Sequence, residues 1–460
     1  MSALFAYAKN AKGELGLSVV LSVVSILLGL VPFFCMYRVI CLFAAGTAAK
    51  AAVISWCAWS LAAYAGKVLC FTLSTGISHH AAYNILEGLR LRLVERFLHA
   101  PLGEVQKHSI GEIKSILVDK IENIEPPLAH MIPEGAGHIV LPVVSFIALF
   151  AIDWRLALAA LAVMLSMSMV GSLAKLEVFS ENMRQVKATV ESLEAFLEMP
   201  ALPEPAQPAA LQGTGVELKN VHFSYSADGP EVLHGIDLAL PQGSFTALVG
   251  PSGGGKSTVA KLLARFWDVT QGSITIGGVD VRQMPLAQLS GLVSFVTQDN
   301  YLFRCSLLEN IRLGNPAATD EQVKAVARAA QCEELIAKLP QGYDTPAGEA
   351  GKRLSGGEKQ RISIARAMLK DAPIVILDEA TANVDPENED RLQKAIEALT
   401  RDKTIIMIAH RLKTVRHADQ ILVVDHGRIV QQGTHEQLIG QPGIYAAFVG
   451  GRKQAEGWKL

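Results

Sequence analysis

The sequence predicts a helical membrane-spanning region followed by an α/β domain, and three features carry that reading. Four long apolar runs set off by charges crowd the first 175 positions. From Val216 onward, short β-rich runs alternate with helical ones. Between the two, Pro200, Pro203, Pro205 and Pro208 break any helix and mark a linker. The chain of 460 residues therefore divides into a helical region over 1–199, a linker over 200–215 and an α/β domain over 216–460.

Composition agrees. Half of the residues are apolar and 19% are charged, below the usual quarter for soluble proteins. The net charge of −2 gives no bulk basic character and speaks against nucleic acid as a partner. The six cysteines, Cys35, Cys41, Cys57, Cys70, Cys305 and Cys332, form no Cys-x-x-Cys pair or metal spacing and read as reduced or lipid-facing thiols. The first apolar run is too long for a signal-peptide core.

The first run lies between Glu14 and Arg38, and the second from Ala51 to about Ser78 with Lys67 inside it. The third lies between Glu134 and Asp153, the fourth between Arg155 and Lys175. A bilayer core takes roughly 20 helical residues, so each is long enough to cross, the last two only just. Lys9 and Lys12 precede the first run, and Arg90, Arg92, Arg96, Lys107, Lys114 and Lys120 fill the segment after the second. The opposite loops carry only Lys50 and Arg155. The positive-inside rule places the N-terminus and the 80–130 segment in the cytoplasm, and an even number of spans returns the α/β domain to the same side. Ionisable groups within spans often mark substrate paths, so Lys67 and His138 are candidates, although Lys67 is also able to snorkel and His138 lies near a membrane face. Phe179, Met183, Val186, Val190, Leu193 and Leu197 recur at helical steps and predict an amphipathic helix over 176–199.

Within the α/β domain, Thr246–Val249, Ile374–Leu377, Thr404–Ala409 and Ile421–Val424 suit buried parallel strands. The first runs into Gly250-Pro251-Ser252-Gly253-Gly254-Gly255-Lys256-Ser257-Thr258, a P-loop between a strand and a helix over 259–266. Its glycines let backbone N–H groups converge on phosphate oxygens, and the helix N-terminus adds positive potential. Lys256 would reach the β and γ phosphates and the Ser257 hydroxyl would bind Mg²⁺. The second strand ends in Asp378-Glu379; Asp378 suits the outer Mg²⁺ carboxylate, and Glu379 suits a group that orients and deprotonates the attacking water. ATP and Mg²⁺ are the ligands these motifs imply. Alone, an Asp-Glu pair after a strand is as easily a solvated turn.

Between these motifs lies Leu354-Ser355-Gly356-Gly357-Glu358-Lys359-Gln360-Arg361. With it the chain resembles the ATP-binding cassette (ABC) ATPases over 216–449, and the fold expected is an α-helical membrane domain of about four spans before an α/β P-loop ATPase domain of the ABC type. Glu358 stands where Gln is commoner. The resemblance implies that Tyr225 stacks on adenine and that Gln298 contacts Mg²⁺ or water. It further implies that Gly348-Glu349 touches cytoplasmic helices, that Asp385 is the D-loop residue and that His410 reaches the γ-phosphate. It also implies that Ser355, Gly356 and Gly357 bind the ATP held by an opposing cassette, so that ATP joins two half-transporters, as a homodimer or a heterodimer, and hydrolysis separates them. The expected protein is integral to the bilayer, in a bacterial inner membrane, with N-terminus and ATPase cytoplasmic, moving an unidentified small molecule.

The membrane region resembles exporter-type half-transporters. Gly111–Asp119 is similar to their first coupling region, and Ile85–Gly103 and Asp119–Glu134 look like the siderophore-linked group that imports iron chelates. That family has six spans and two long cytoplasmic excursions; here four are expected, with the second excursion missing. The alternative to a transport subunit is therefore a transport-incompetent, membrane-tethered nucleotide-binding regulator.

Overall fold

The computed structural model describes residues 11–226, 228–298, 300–348, 351, 354–378, 386–409 and 415–457. The chain forms two compact units, one of Met1–Ala100 with Glu104–Ala201, the other of Pro101–Gly103 with Leu202–Leu460.

The first unit is helical. Its four long helices are α1 (Lys12–Ala44), α2 (Lys50–His99), α3 (Ile132–Ile152) and α4 (Trp154–Leu197), one for each apolar run. Among the described residues α1 and α2 are long and apolar enough to cross a membrane, and Val140–Ile152 is a shorter apolar helical stretch. Two differences from the sequence reading have one cause, which is that nothing interrupts the backbone where hydropathy changes. The second span continues through the basic segment to His99, and the fourth is continuous with the amphipathic stretch as far as Leu197. The polar ends pack away from the spans: Ala81, Ala82, Ile85, Leu86, Leu89 and Leu93 of α2 form a core with Ile116, Ile121, Ile124 and with Val190, Leu193 and Phe196 of α4. The apolar positions recur at three and four residues, so one face of each helix is buried. Asp153 caps α4, its carboxylate accepting from the Arg155 N–H at 2.8 Å, and Ser109 caps the short helix Ile110–Ser115 by accepting from the Glu112 N–H.

The second unit is built on two sheets. Strands β1 (Val216–Ser224), β2 (Glu231–Leu240), β4 (Gln271–Ile276) and β5 (Val279–Asp280) form an antiparallel sheet in the order β2-β1-β4-β5. Strands β3 (Phe245–Val249), β6 (Val293–Val296), β7 (Ile374–Asp378), β8 (Thr404–Ile408), β9 (Gln420–Asp425) and β10 (Arg428–Gly433) form a larger sheet in the order β10-β9-β3-β8-β7-β6. Five of its strands run parallel, from β9 through β6, and β10 is antiparallel at the edge. The four strands read from sequence are the buried middle of this sheet. Alternate residues face two cores: Ala247, Val249, Val375 and Leu377 one, Leu248, Ile374, Ile376, Ile406 and Ile408 the other. Burial on both faces is why these strands are unbroken apolar runs without polar alternation. The helices that bear on the site are α5 (Lys256–Leu263), α6 (Gly356–Lys370) and α7 (Pro386–Thr400). Pro101–Gly103 also belongs here: the Gly103 N–H donates to the Phe266 carbonyl at 3.1 Å, and a Cβ at Gly103 would lie 1.9 Å from the Trp267 indole.

Candidate nucleotide site

The parallel strands β3, β8, β7 and β6 are neighbours and all end at one edge of the sheet. Ligands of open α/β sheets bind outside such carboxyl ends. The loop at 250–255 leaves β3 there, Asp378 is the last residue of β7, and Gln298 follows β6 by two residues, exposed. Topology thus brings together three sequence motifs spread over more than a hundred residues.

The loop geometry depends on glycine at two positions above all. Gly250 has φ +138° and a Cβ there would stand 2.1 Å from the Val424 carbonyl; Gly255 has φ +106° and would strike Leu233 at 2.8 Å. No other residue fits either place, because both the left-handed backbone and the space exclude a side chain. The Gly427 N–H, in the β9–β10 turn, donates to the Gly254 carbonyl at 3.0 Å and pins the loop. α5 starts at Lys256 itself, three residues before the helix start read from hydropathy, so the free N–H groups of its first turn point into the loop. The Lys256 ammonium donates to the carbonyls of Gly250 at 3.0 Å and Pro251 at 2.7 Å. It is buried, with its charge folded back along the loop.

Tyr225 follows β1 and is 38% exposed. Its hydroxyl and the Thr258 hydroxyl share a hydrogen bond of 2.7 Å, and its ring meets Trp267 edge-on at 5.1 Å and Phe223 at 4.9 Å. The aromatic face is thereby held near the first turn of α5. Trp267 is the residue that sequence reading missed. Its signal was weak, an aromatic next to Phe266 and one residue past an apolar helix, but it touches both Tyr225 and Gly103.

Ser355 is the N-cap of α6 and is exposed, as is Gly356, while Gly357 is buried. The Ser355 Oγ accepts from the Glu358 N–H at 3.4 Å and the Glu358 carboxylate accepts from the Ser355 N–H at 2.8 Å. This reciprocal capping box works with Glu or Gln at the third helical position, which explains why Glu358 is tolerated where Gln is commoner. Further along α6, Arg366 donates from Nε to the Asn310 carbonyl at 2.6 Å and from its two other nitrogens to the Tyr301 carbonyl at 2.7 Å and to Asn310 Oδ1 at 2.6 Å. Burial pushes this guanidinium below its usual range, as it does for Arg361. Asn310 in turn bonds the carbonyls of Phe303, Cys305 and Ser306. The segment after Gln298 is tied to α6 by this network, which no motif announced. Cys332 is fully buried and its thiol is pushed up to about 12 by desolvation, so it is inert packing.

Glu379, Asp385, His410 and Glu349 lie outside the described residues, as do the side chains of His138, Phe179, Met183 and Val186. Gly250, Ser252, Gly253, Ser257 and Gly348 are all described, the first four within the loop and at the start of α5.

A family model of the ABC transporter transmembrane region matches residues 15–196, and a second, described as ABC transporter, matches residues 233–382. The mycobactin import ATP-binding/permease protein IrtA of Mycolicibacterium smegmatis is 49% identical over 262 residues, which are 57% of this chain and 30% of that protein. A Staphylococcus aureus ATP-binding/permease protein, whose name proposes multidrug export, is 46% identical over 240 residues, 52% of this chain and 42% of that one. The chain thus spans less than half the length of these curated relatives. A solved bacterial Atm1-family ABC exporter with ATP bound superposes with a TM-score of 0.72 over 98% of this chain and 99% of that chain, at 24% identity, a likeness of fold. The chain belongs to the ABC transporter family, as a half-transporter in which a helical membrane domain precedes an ATP-binding cassette.

Proposed function

We propose that the chain is the ATP-hydrolysing subunit of a transporter in which two copies clamp ATP and the resulting motion carries a small molecule across the membrane. The observation that carries this reading is the exposed, glycine-rich start of α6 at Ser355-Gly356, far in sequence from a loop that already supplies one side of a nucleotide. Free N–H donors at a helix start attract phosphate, and a second cassette offers the nucleotide they lack. In this reading Lys256 leaves the Gly250 and Pro251 carbonyls for the β and γ phosphates, Ser252, Gly253, Gly255 and Thr258 line the phosphate cradle, and Tyr225 stacks on adenine. Ser355, Gly356 and Gly357 close over the γ-phosphate of the other copy, with Asp385 bridging the two cassettes.

Mg²⁺ fits the donor set: the Ser257 hydroxyl at the start of α5 and the half-buried Asp378 carboxylate at the end of β7 are hard oxygen donors on one sheet edge. When bound, the ion neutralises charge on the β and γ phosphates. Gln298 adds an amide to the same edge and senses its occupancy. Glu379 orients the attacking water and takes its proton, and His410 steadies the γ-phosphate through a hydrogen bond. The Arg366–Asn310 network makes the segment after Gln298 move with α6, so filling the site and closing the signature end are one event. Pro101–Gly103 packs with the cassette while its chain neighbours are membrane-unit helices, which gives cassette motion a covalent route to α2.

Basic residues around the N-terminus and over 90–120 set both on the cytoplasmic side of a bacterial inner membrane. The identity to a mycobactin importer supports an iron-siderophore or a chemically similar small molecule as cargo. The test is Glu379→Gln in reconstituted vesicles: ATP binding is retained, turnover falls to background and ATP-driven substrate movement stops. Hydrolysis without movement of any candidate would instead favour a tethered regulator, the reading that the short membrane domain supports.

A further inference from the structure

We propose that the groove between α1 and α2 is a binding site for an acidic amphiphile, a single-chain apolar molecule ending in a carboxylate. The groove has a volume of about 520 Å³ and is lined chiefly by Pro32, Cys35 and Met36 of α1 and by Trp56, Ser60 and Tyr64 of α2. Each of its two aromatic walls carries a cation: the Arg38 guanidinium lies 5.5 Å from the Trp56 ring and the Lys67 ammonium 5.7 Å from the Tyr64 ring. The two rings are eight positions apart on one helix, about 12 Å along its axis, so an apolar floor runs between two positive ends.

No Asp or Glu occurs anywhere between Glu14 and Glu87. Among the described residues neither cation is within ion-pair distance of a carboxylate; the pairs formed by these two helices involve His79, His80 and Arg90 at the other end of α2. A charge within a span is costly unless it meets an opposite charge. Lys67 is moreover held in place. The Ser25 hydroxyl donates to its carbonyl at 3.0 Å, and its stem lies over Gly29, where an added Cβ would come within 3.3 Å of Cδ. A chain with an anionic end satisfies the apolar floor and the fixed Lys67 ammonium together, whereas a cationic or neutral amphiphile satisfies only the apolar floor. The site does not rest on the proposed ATP clamp.

Cys57 lines the groove and is exposed, so its alkylation reports occupancy, and Cys70, outside the lining, is the internal control. The full chain is placed in phosphatidylcholine nanodiscs without nucleotide, and N-ethylmaleimide modification is followed by peptide mass spectrometry. Saturating palmitate is expected to slow Cys57 alkylation about tenfold, the factor that 1.4 kcal/mol of ligand interaction confers, and to leave Cys70 unchanged. Cetyl alcohol and cetyltrimethylammonium should protect little. Lys67→Gln should reduce the palmitate effect, and Lys67→Arg should keep it, with binding of a fluorescent ATP analogue as the check that each variant is folded. Equal protection by the cationic amphiphile, protection by phosphatidylglycerol in the bilayer but not by palmitate, or no protection at all would overturn the proposal. None of these outcomes touches the ATP clamp, which the same preparations report through nucleotide binding.

Discussion

At the scale of single residues, the cassette shows how much is decided by where a charge can find partners. Lys256 donates to two loop carbonyls, and a bound phosphate would give it charged acceptors. Lys256→Ala should therefore weaken ATP binding by about 1.5–3 kcal/mol, the range for hydrogen bonds to charged groups, or roughly ten- to hundredfold in Kd by equilibrium titration. Tyr225→Ala should cost about 1–3 kcal/mol if the ring stacks on adenine, and Tyr225→Phe, which loses only the bond to Thr258, should cost much less. Asp280 makes a different point. Burial pushes its carboxyl up, but hydrogen bonds from the Arg282 side chain and backbone together outweigh that, and its pKa is lowered on balance. A depressed carboxylate stabilises the fold above its unfolded pKa and loses that contribution as pH falls through the folded value. Asp280→Asn should therefore make the melting temperature less sensitive to a shift from about pH 7 to about pH 3, either side of the carboxylate range. The residues of the P-loop were legible in the sequence because glycine at Gly250 and Gly255 is demanded by backbone and space together. Trp267 was not, because its importance lies in contacts to Tyr225 and Gly103 that distant segments bring to it.

At the scale of elements, the sequence announced strands through unbroken apolar runs and helices through three- and four-residue steps, and the middle of the large sheet follows those runs closely. Boundaries were harder. α2 and α4 pass from apolar to amphipathic character without a helix-breaking residue, so hydropathy alone stopped each of them at the change of solvent rather than at the end of the helix. The order of the strands could not be read either, since pairing β3 with β8 and β9 joins Phe245 to Ile405 and Thr246 to Gln420, segments far apart in the chain. Nor could the Arg366–Asn310 network, a set of mostly side chain to backbone bonds with no spacing rule. That network ties the segment after Gln298 to α6, and Arg366→Lys has one ammonium in place of a three-pronged fork. The variant should bind ATP nearly normally and melt at a lower temperature, while its turnover falls more than its affinity. A calorimetric melt and a steady-state assay on one preparation would show whether binding and turnover separate. Ser355→Ala removes a cap worth about 1 kcal/mol to α6, and its effect on pairing should exceed that on folding.

At the scale of the whole molecule, the proposed function needs a nucleotide site divided between two chains. Both halves occur in this sequence, the P-loop with Lys256 and the α6 start with Ser355, so in the proposed pairing of two copies each chain would contribute to both sites. The closing measurement is a mixing experiment on ATP turnover. A Lys256→Ala chain and a Ser355→Arg chain are each reconstituted alone and then together in equal amounts. Each alone has two defective sites per dimer and should fall to background. In the mixed dimer one site collects both substitutions and the other collects none, so the mixture should regain ATP-dependent pairing and part of the wild-type turnover. A mixture as inactive as its two components, from chains that still bind nucleotide or fold normally by calorimetry, would contradict the claim that ATP is held between two copies.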